Sequence, residues 1–184
     1  MKHIILISGV LLVGCAKKAA ENPSTQPQSK AGPREVVRQL AQEFAAATIN
    51  GDFERSADLA YDSVVEYLGG RAEMIAQMRK GLKTLKEVGT TFKSFDVGEP
   101  GEFINDGGTT FVVLPTENEM EMTTPPLKLI DKGYLLGISS DGGKSWKFID
   151  GTQMEIAGDE IMPLLPKALK LPKDEFPEPI NKEN

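Results

Sequence analysis

The chain carries 184 residues, 27 acidic against 21 basic, for a formal net charge of −6. That balance argues against nucleic acid as a partner, because phosphate binding needs concentrated Lys and Arg. An apolar share of 40% is enough for one real core, and a lone cysteine, Cys15, rules out an internal disulfide.

The first element is a cationic start at Lys2, an almost wholly apolar run from Ile4 to Val13, then Gly14 and Cys15. The run is far too short to span a bilayer and reads as a secretory signal over residues 1–14. Leu12-Val13-Gly14-Cys15 resembles the lipobox of bacterial lipoproteins at all four positions. The resemblance implies a diacylglycerol thioether on Cys15, cleavage between Gly14 and Cys15, and acylation of the new amine. One acyl chain holds a protein only reversibly, whereas two or more anchor it stably. In enterobacterial lipoproteins an Asp after the cysteine favours the inner membrane. Ala16 stands there instead, which implies an outer-membrane anchor facing the periplasm. The plain alternative is an ordinary signal in which Cys15 is a small apolar residue.

Removing the first 14 of the 184 residues leaves 170, and the loss of Lys2 moves the charge from −6 to −7. The only histidine, His3, leaves with the signal. Ser-His-Asp and Cys-His catalysis and the usual His/Cys zinc sites are thereby excluded. Asp, Glu, Lys and Tyr remain for acid–base work, and no cofactor is expected.

Residues 15–32 form the lipidated cysteine and a flexible tether of Lys, Ala, Ser, Gln, Asn, Pro and Gly. Its expected reach is roughly 20 to 25 Å. A domain is expected over 33–156, opened by Pro33 at a favoured first helical position. Val37, Leu40, Phe44 and Ala47 make one face of a first helix that Asn50-Gly51-Asp52 ends. A second helix is predicted from Phe53 towards Tyr67, with Phe53, Ala57, Ala60, Val64 and Leu68 as its stripe. A third runs from Arg71 to about Val88, with Ala72, Ile75, Met78, Leu82 and Leu85 inward and Arg79, Lys80, Lys83 and Lys86 in water.

After Gly89 the period shortens to 2. Phe92 to Val97 reads as a strand, and Phe103-Ile104 pairs with Thr109 to Leu114 across Asn105-Asp106-Gly107-Gly108. The second arm continues towards Met122, with Met120 and Met122 on one face and Glu119 and Glu121 on the other. Pro125-Pro126 is expected to interrupt the ladder and suggests an edge or a crossing. Tyr134 to Ser139 and Ser145 to Ile149 form a last hairpin. Residues 157–184 are expected as a short helix near Asp159 to Leu165 and a Pro-rich tail.

Helices followed by strands indicate an α+β fold: three N-terminal helices on a curved antiparallel sheet. With Asn50-Gly51-Asp52-Phe53, Tyr61-Asp62 and Gly69-Gly70 as points of contact, the stretch from Arg34 to Gly151 resembles the nuclear transport factor 2-like cone fold. That resemblance implies a pocket under the sheet, with Phe44, Tyr61, Asp62, Tyr67, Phe111 and Tyr134 as candidate binding residues.

Four further patterns carry chemistry. Ser139-Ser140-Asp141-Gly142-Gly143-Lys144-Ser145-Trp146 matches the Asp-box of sialidase propellers, but one copy in so short a chain reads as a rigid hairpin cap rather than a sugar site. Glu54, Asp58, Asp62 and Glu66 are spaced by four, which would place four acids on one helix face, either solvated or facing calcium or a basic peptide. Glu117, Glu119 and Glu121 share a strand face, expected to face solvent, with a partner edge as the alternative. Tyr61 or Tyr67 with Asp62 and Asp96 would supply the groups a ketosteroid-isomerase-like site needs, although packing explains the tyrosines as well. Met74 and Met78 read as core filler.

The expectation is a membrane-anchored envelope lipoprotein whose domain binds a small ligand or an envelope protein, without catalysis, metal or nucleic acid. The alternatives are a Tyr/Asp-dependent isomerase or hydrolase, and a structural or assembly factor of the envelope.

Overall fold

The computed structural model describes residues 32–172 and 177–179, apart from the side chains at 155, 157 and 160. Helix α1 (Pro33–Asn50) begins with Pro33 in its first turn and ends on Gly51, whose φ of 81° needs no Cβ. Then come α2 (Phe53–Leu59), α3 (Asp62–Tyr67) and α4 (Arg71–Glu87). The strands are β1 (Thr90–Val97), β2 (Ile104–Asp106), β3 (Thr109–Thr123), β4 (Pro126–Ser139) and β5 (Lys147–Asp150). Helix α5 (Gly151–Ile161), a short 3-10 turn at Met162–Leu164 and the two-residue β6 (Glu178–Pro179) follow.

The fold is α+β, with an antiparallel sheet curled into a half-barrel against the helices. Its order is β1-β3-β4-β5, with β2 continuing along the β3 edge beyond β1 and β6 lying on β4. The long β3–β4 hairpin is its spine, paired without a break from Thr110↔Ser139 to Thr123↔Pro126.

Two cores lie on opposite sides of this sheet. On one side Val112, Leu114, Leu135 and Phe148 meet Val37, Ala41, Phe44 and Ala45 of α1, Phe53 and Ala57 of α2, and Met74 and Ile75 of α4. Phe44 and Phe148 stack with centroids 5.8 Å apart. On the other side Phe111, Leu136, Ile138 and Ile149 meet Val64 of α3 and Met154 and Ile161 of α5.

Four helices precede the sheet among the described residues, not three. The expected second helix breaks at Ala60-Tyr61, where Ala60 forms a parallel bridge with Phe148. The Tyr61 N–H donates to the Phe148 carbonyl at 2.9 Å instead of continuing the helix. A long-range strand contact therefore overrides a continuous helical stripe. On α4, Met74 and Ile75 are buried and Ala72 is exposed, a rotation of the expected face.

The Pro125-Pro126 pair neither interrupts nor crosses the sheet. It turns β3 directly into β4, so β4 begins at Pro126, well before Tyr134. The C-terminal helix also starts earlier than Asp159. Asp150 caps it in a capping box, accepting from the Thr152 N–H while the Gln153 side chain accepts from the Asp150 N–H. The expected domain boundary at 156/157 therefore falls inside α5.

Strand β1 is an edge, and α1 covers it. Gln42 donates to the Phe95 carbonyl at 2.7 Å and accepts from the Val97 N–H at 3.0 Å, as a neighbouring strand would. One and two turns earlier, Arg38 donates to the Val97 carbonyl at 3.4 Å and Arg34 to the Pro100 carbonyl. A row of three residues spaced by four thus closes the edge against further pairing.

Candidate functional site

The Asp-box segment is a self-contained turn at the end of the β4–β5 hairpin. Asp141 accepts the Lys144 and Ser145 N–H groups at 3.0 Å each, and the hydroxyls of Ser145 at 2.7 Å and Ser139 at 2.8 Å. The Ser145 N–H, followed by the two hydroxyls, holds the Asp141 carboxyl well below the usual carboxylate range. Gly142 and Gly143 take φ of 74° and 86°. Trp146 is buried beneath, its indole N–H donating to the Gly143 carbonyl at 3.2 Å. All four of these bonds close within the turn itself, so the motif here builds a rigid cap.

The six predicted pocket residues do not gather. Phe44 is buried in the α1 core, while Phe111 and Tyr134 are buried in the core on the other side of the sheet. Tyr61 is half-buried against that second core. Tyr67 is 48% exposed and its hydroxyl donates to the Ile156 carbonyl at 3.2 Å. Asp62 is exposed and pairs with Lys147 at 3.4 Å.

Asp96 is also exposed, in register with Glu117. With both aspartates on the surface, no Tyr/Asp oxyanion set of the isomerase kind is assembled. The row Glu54, Asp58, Asp62 and Glu66 is not one helix face either, because the break at Ala60-Tyr61 divides it. Asp58 pairs instead with Arg71 at 2.8 Å, which lowers its pKa. Among the described residues no group of three or more His, Cys, Asp or Glu is placed to hold a metal ion.

The outer half of the β3–β4 hairpin is different in kind, and sequence reasoning did not single it out as a site. Past Thr116 and Gly133 its two faces separate by polarity, as strand alternation requires. Phe92, Met120, Met122, Leu127 and Leu129 fall on one face; all are half-buried and belong to neither core. Where this face meets the core, Asn118 donates to Asp131 at 3.3 Å. The Asn118 Oδ1 is buried without a hydrogen-bond partner among the described residues.

The opposite face holds Glu117, Glu119 and Glu121 with Lys93 and Lys128. Lys128 reaches Glu121 at 2.9 Å and Glu119 at 3.1 Å, and Lys93 reaches Glu121 at 2.7 Å. Lys93 and then Lys128 lower the Glu121 carboxyl to about 2. Glu119 and Glu121, expected as solvent-facing, are members of an ion-pair ladder at the surface, and Glu117 is exposed on the same face.

A groove of about 620 Å³ crosses the end of this hairpin, bordered by Lys93, Glu121, Met122, Pro126, Leu127 and Lys128. A second, of about 550 Å³, lies between the end of α1 and α4, with Phe53 and Leu82 at its floor and Arg79, Lys83 and Lys86 at its rim. Neither is lined by any of the six predicted pocket residues.

No protein-family model, curated protein or solved structure matches this chain. Leu12, Val13, Gly14 and Cys15, and the tether up to residue 31, lie outside the described residues.

Proposed function

We propose that this chain is a lipid-anchored protein of the bacterial envelope, held at the outer membrane facing the periplasm, whose α+β domain is a docking module. The observation that carries the reading is Leu12-Val13-Gly14-Cys15 behind a short apolar run, with the only cysteine of the chain at the position to be acylated. Among the described residues no helix is long and apolar enough to cross a membrane. Attachment in this reading therefore rests on the acyl chains on Cys15.

For the domain, the sheet curled over α1, α2 and α4 supports the likeness to the nuclear transport factor 2-like cone. The strand face of Phe92, Met120, Met122, Leu127 and Leu129, outside both cores, favours an envelope protein over a small metabolite as the partner. Met-rich surfaces adapt to partners because the thioether side chain is unbranched and flexible.

The test is intact-mass spectrometry of native protein, beside membrane fractionation of wild type and Cys15→Ser. The expected mass is that of residues 15–184 plus acyl groups, with Cys15→Ser leaving the membrane fraction. An unmodified thiol with the first 14 residues still attached refutes the reading.

A further inference from the structure

The two edges of the sheet are treated differently. On the β1 side Gln42 and Arg38 occupy the backbone groups of Phe95 and Val97. On the β4 side, β5 pairs only with Leu135–Ile138. From Leu127 to Lys132 the same edge is met, among the described residues, by Glu178 and Pro179 alone, opposite Ile130 and Leu129. Strand edges offer a row of backbone donors and acceptors to any extended chain. A two-residue strand leaves most of such a row unmet, so it is a weak occupant of it.

Side-chain alternation matches this occupant to the edge. Ile130 shares its face with Lys128 and Lys132, so Glu178 stands diagonal to both cations. Lys128 is already shared by Glu119 and Glu121. Lys132 is exposed, opposite Glu117 in the register. On the other face Pro179 stands opposite Leu129, beside Leu127. Met120 and Met122 continue that apolar surface on the next strand.

We propose that the β4 edge from Leu127 to Lys132 is a strand-addition site for an extended segment of a partner protein, and that Glu178–Pro179 is an internal occupant which that segment displaces. The segment carries a carboxylate on the Lys132 face and apolar side chains on the Leu129 face. Main-chain hydrogen bonds supply the affinity and the alternating side chains the selection. This inference rests on the docking-module reading and names its partner chemistry.

The probe is a fluorescein-labelled peptide of residues 174–182, titrated against the full chain and followed by anisotropy. An internal occupant lowers the apparent affinity by the fraction of time the edge is free. Glu178→Lys in the full chain is expected to bind the peptide about tenfold more tightly than wild type, as for an edge free one-tenth of the time. Adding Lys132→Glu to that variant is expected to abolish the gain, and so is N-methylation of the peptide at Glu178. Amide exchange at Ile130 is expected to quicken in Glu178→Lys while Leu114 and Leu135 stay protected.

Equal peptide affinity in wild type and Glu178→Lys, or no binding to either, overturns the proposal. So does a concentration-dependent dimer with no peptide binding, which would assign the edge to a second copy. None of these results alters the mass or fractionation of the Cys15 species, so the anchor reading stands or falls separately.

Discussion

Replacing Gln42 by alanine should unfasten the β1 edge. The side chain makes two hydrogen bonds to one strand, 2.7 Å to the Phe95 carbonyl and 3.0 Å from the Val97 N–H. Each is worth about 1 kcal/mol net, and leaving a partly buried backbone partner unsatisfied raises the cost. Water reaches this half-buried site and recovers part of it, so the expected loss is about 1–3 kcal/mol. For a domain of this size a loss of 2 kcal/mol lowers Tm by about 4–8 °C. Urea unfolding followed by circular dichroism measures it, with the exposed Gln39→Ala as the control, expected within about 0.5 kcal/mol of wild type. Gln42→Glu keeps the acceptor for Val97 but has no donor for Phe95, and should fall between alanine and wild type near neutral pH. A Gln42→Ala variant as stable as Gln39→Ala would show that the edge is not held by this side chain.

Phe148→Ala removes a fully buried ring stacked on Phe44 and should cost about 3–5 kcal/mol in the same unfolding assay; a loss under 1 kcal/mol would mean that the α1 core does not close on β5. Gly89→Ala drives a Cβ into Thr123 Oγ1 at a φ of 77° and should destabilise by about 1–3 kcal/mol, read as a Tm decrease, where an exposed Ala substitution elsewhere is neutral. The Glu121 carboxyl is lowered from 4.5 to about 2 by Lys93 and Lys128, so its contribution is fully present above pH 4.5 and is lost as pH falls towards 2. Stability profiles of wild type and Glu121→Gln should therefore converge below pH 2 and separate above pH 4.5; parallel profiles across that range would refute the ion-pair ladder.

Local pattern determined much of this protein. The 3.6-residue spacing of Val37, Phe44 and Ala47 with Pro33 and Gly51 at its ends delivered α1 at its true limits, because helix periodicity and caps are encoded within a few residues. Alternation from Thr109 to Met122 correctly separated Met120 and Met122 from Glu119 and Glu121, because a strand's faces follow from parity alone. The Asp-box turn was equally legible, since all its hydrogen bonds close within Ser139–Trp146.

What depended on distant chain was not legible. Ala57, Ala60 and Val64 keep a helical stripe, yet Phe148 ends the helix at Ala60. Gln42 looks like a solvated helix residue until β1 lies beneath it. The six candidate pocket residues are divided because the sheet puts Phe44 on one side and Phe111 and Tyr134, with Tyr61 against them, on the other. Strand parity within a segment is fixed by covalent geometry, whereas the side on which helices close is decided only when the two halves of the chain pack.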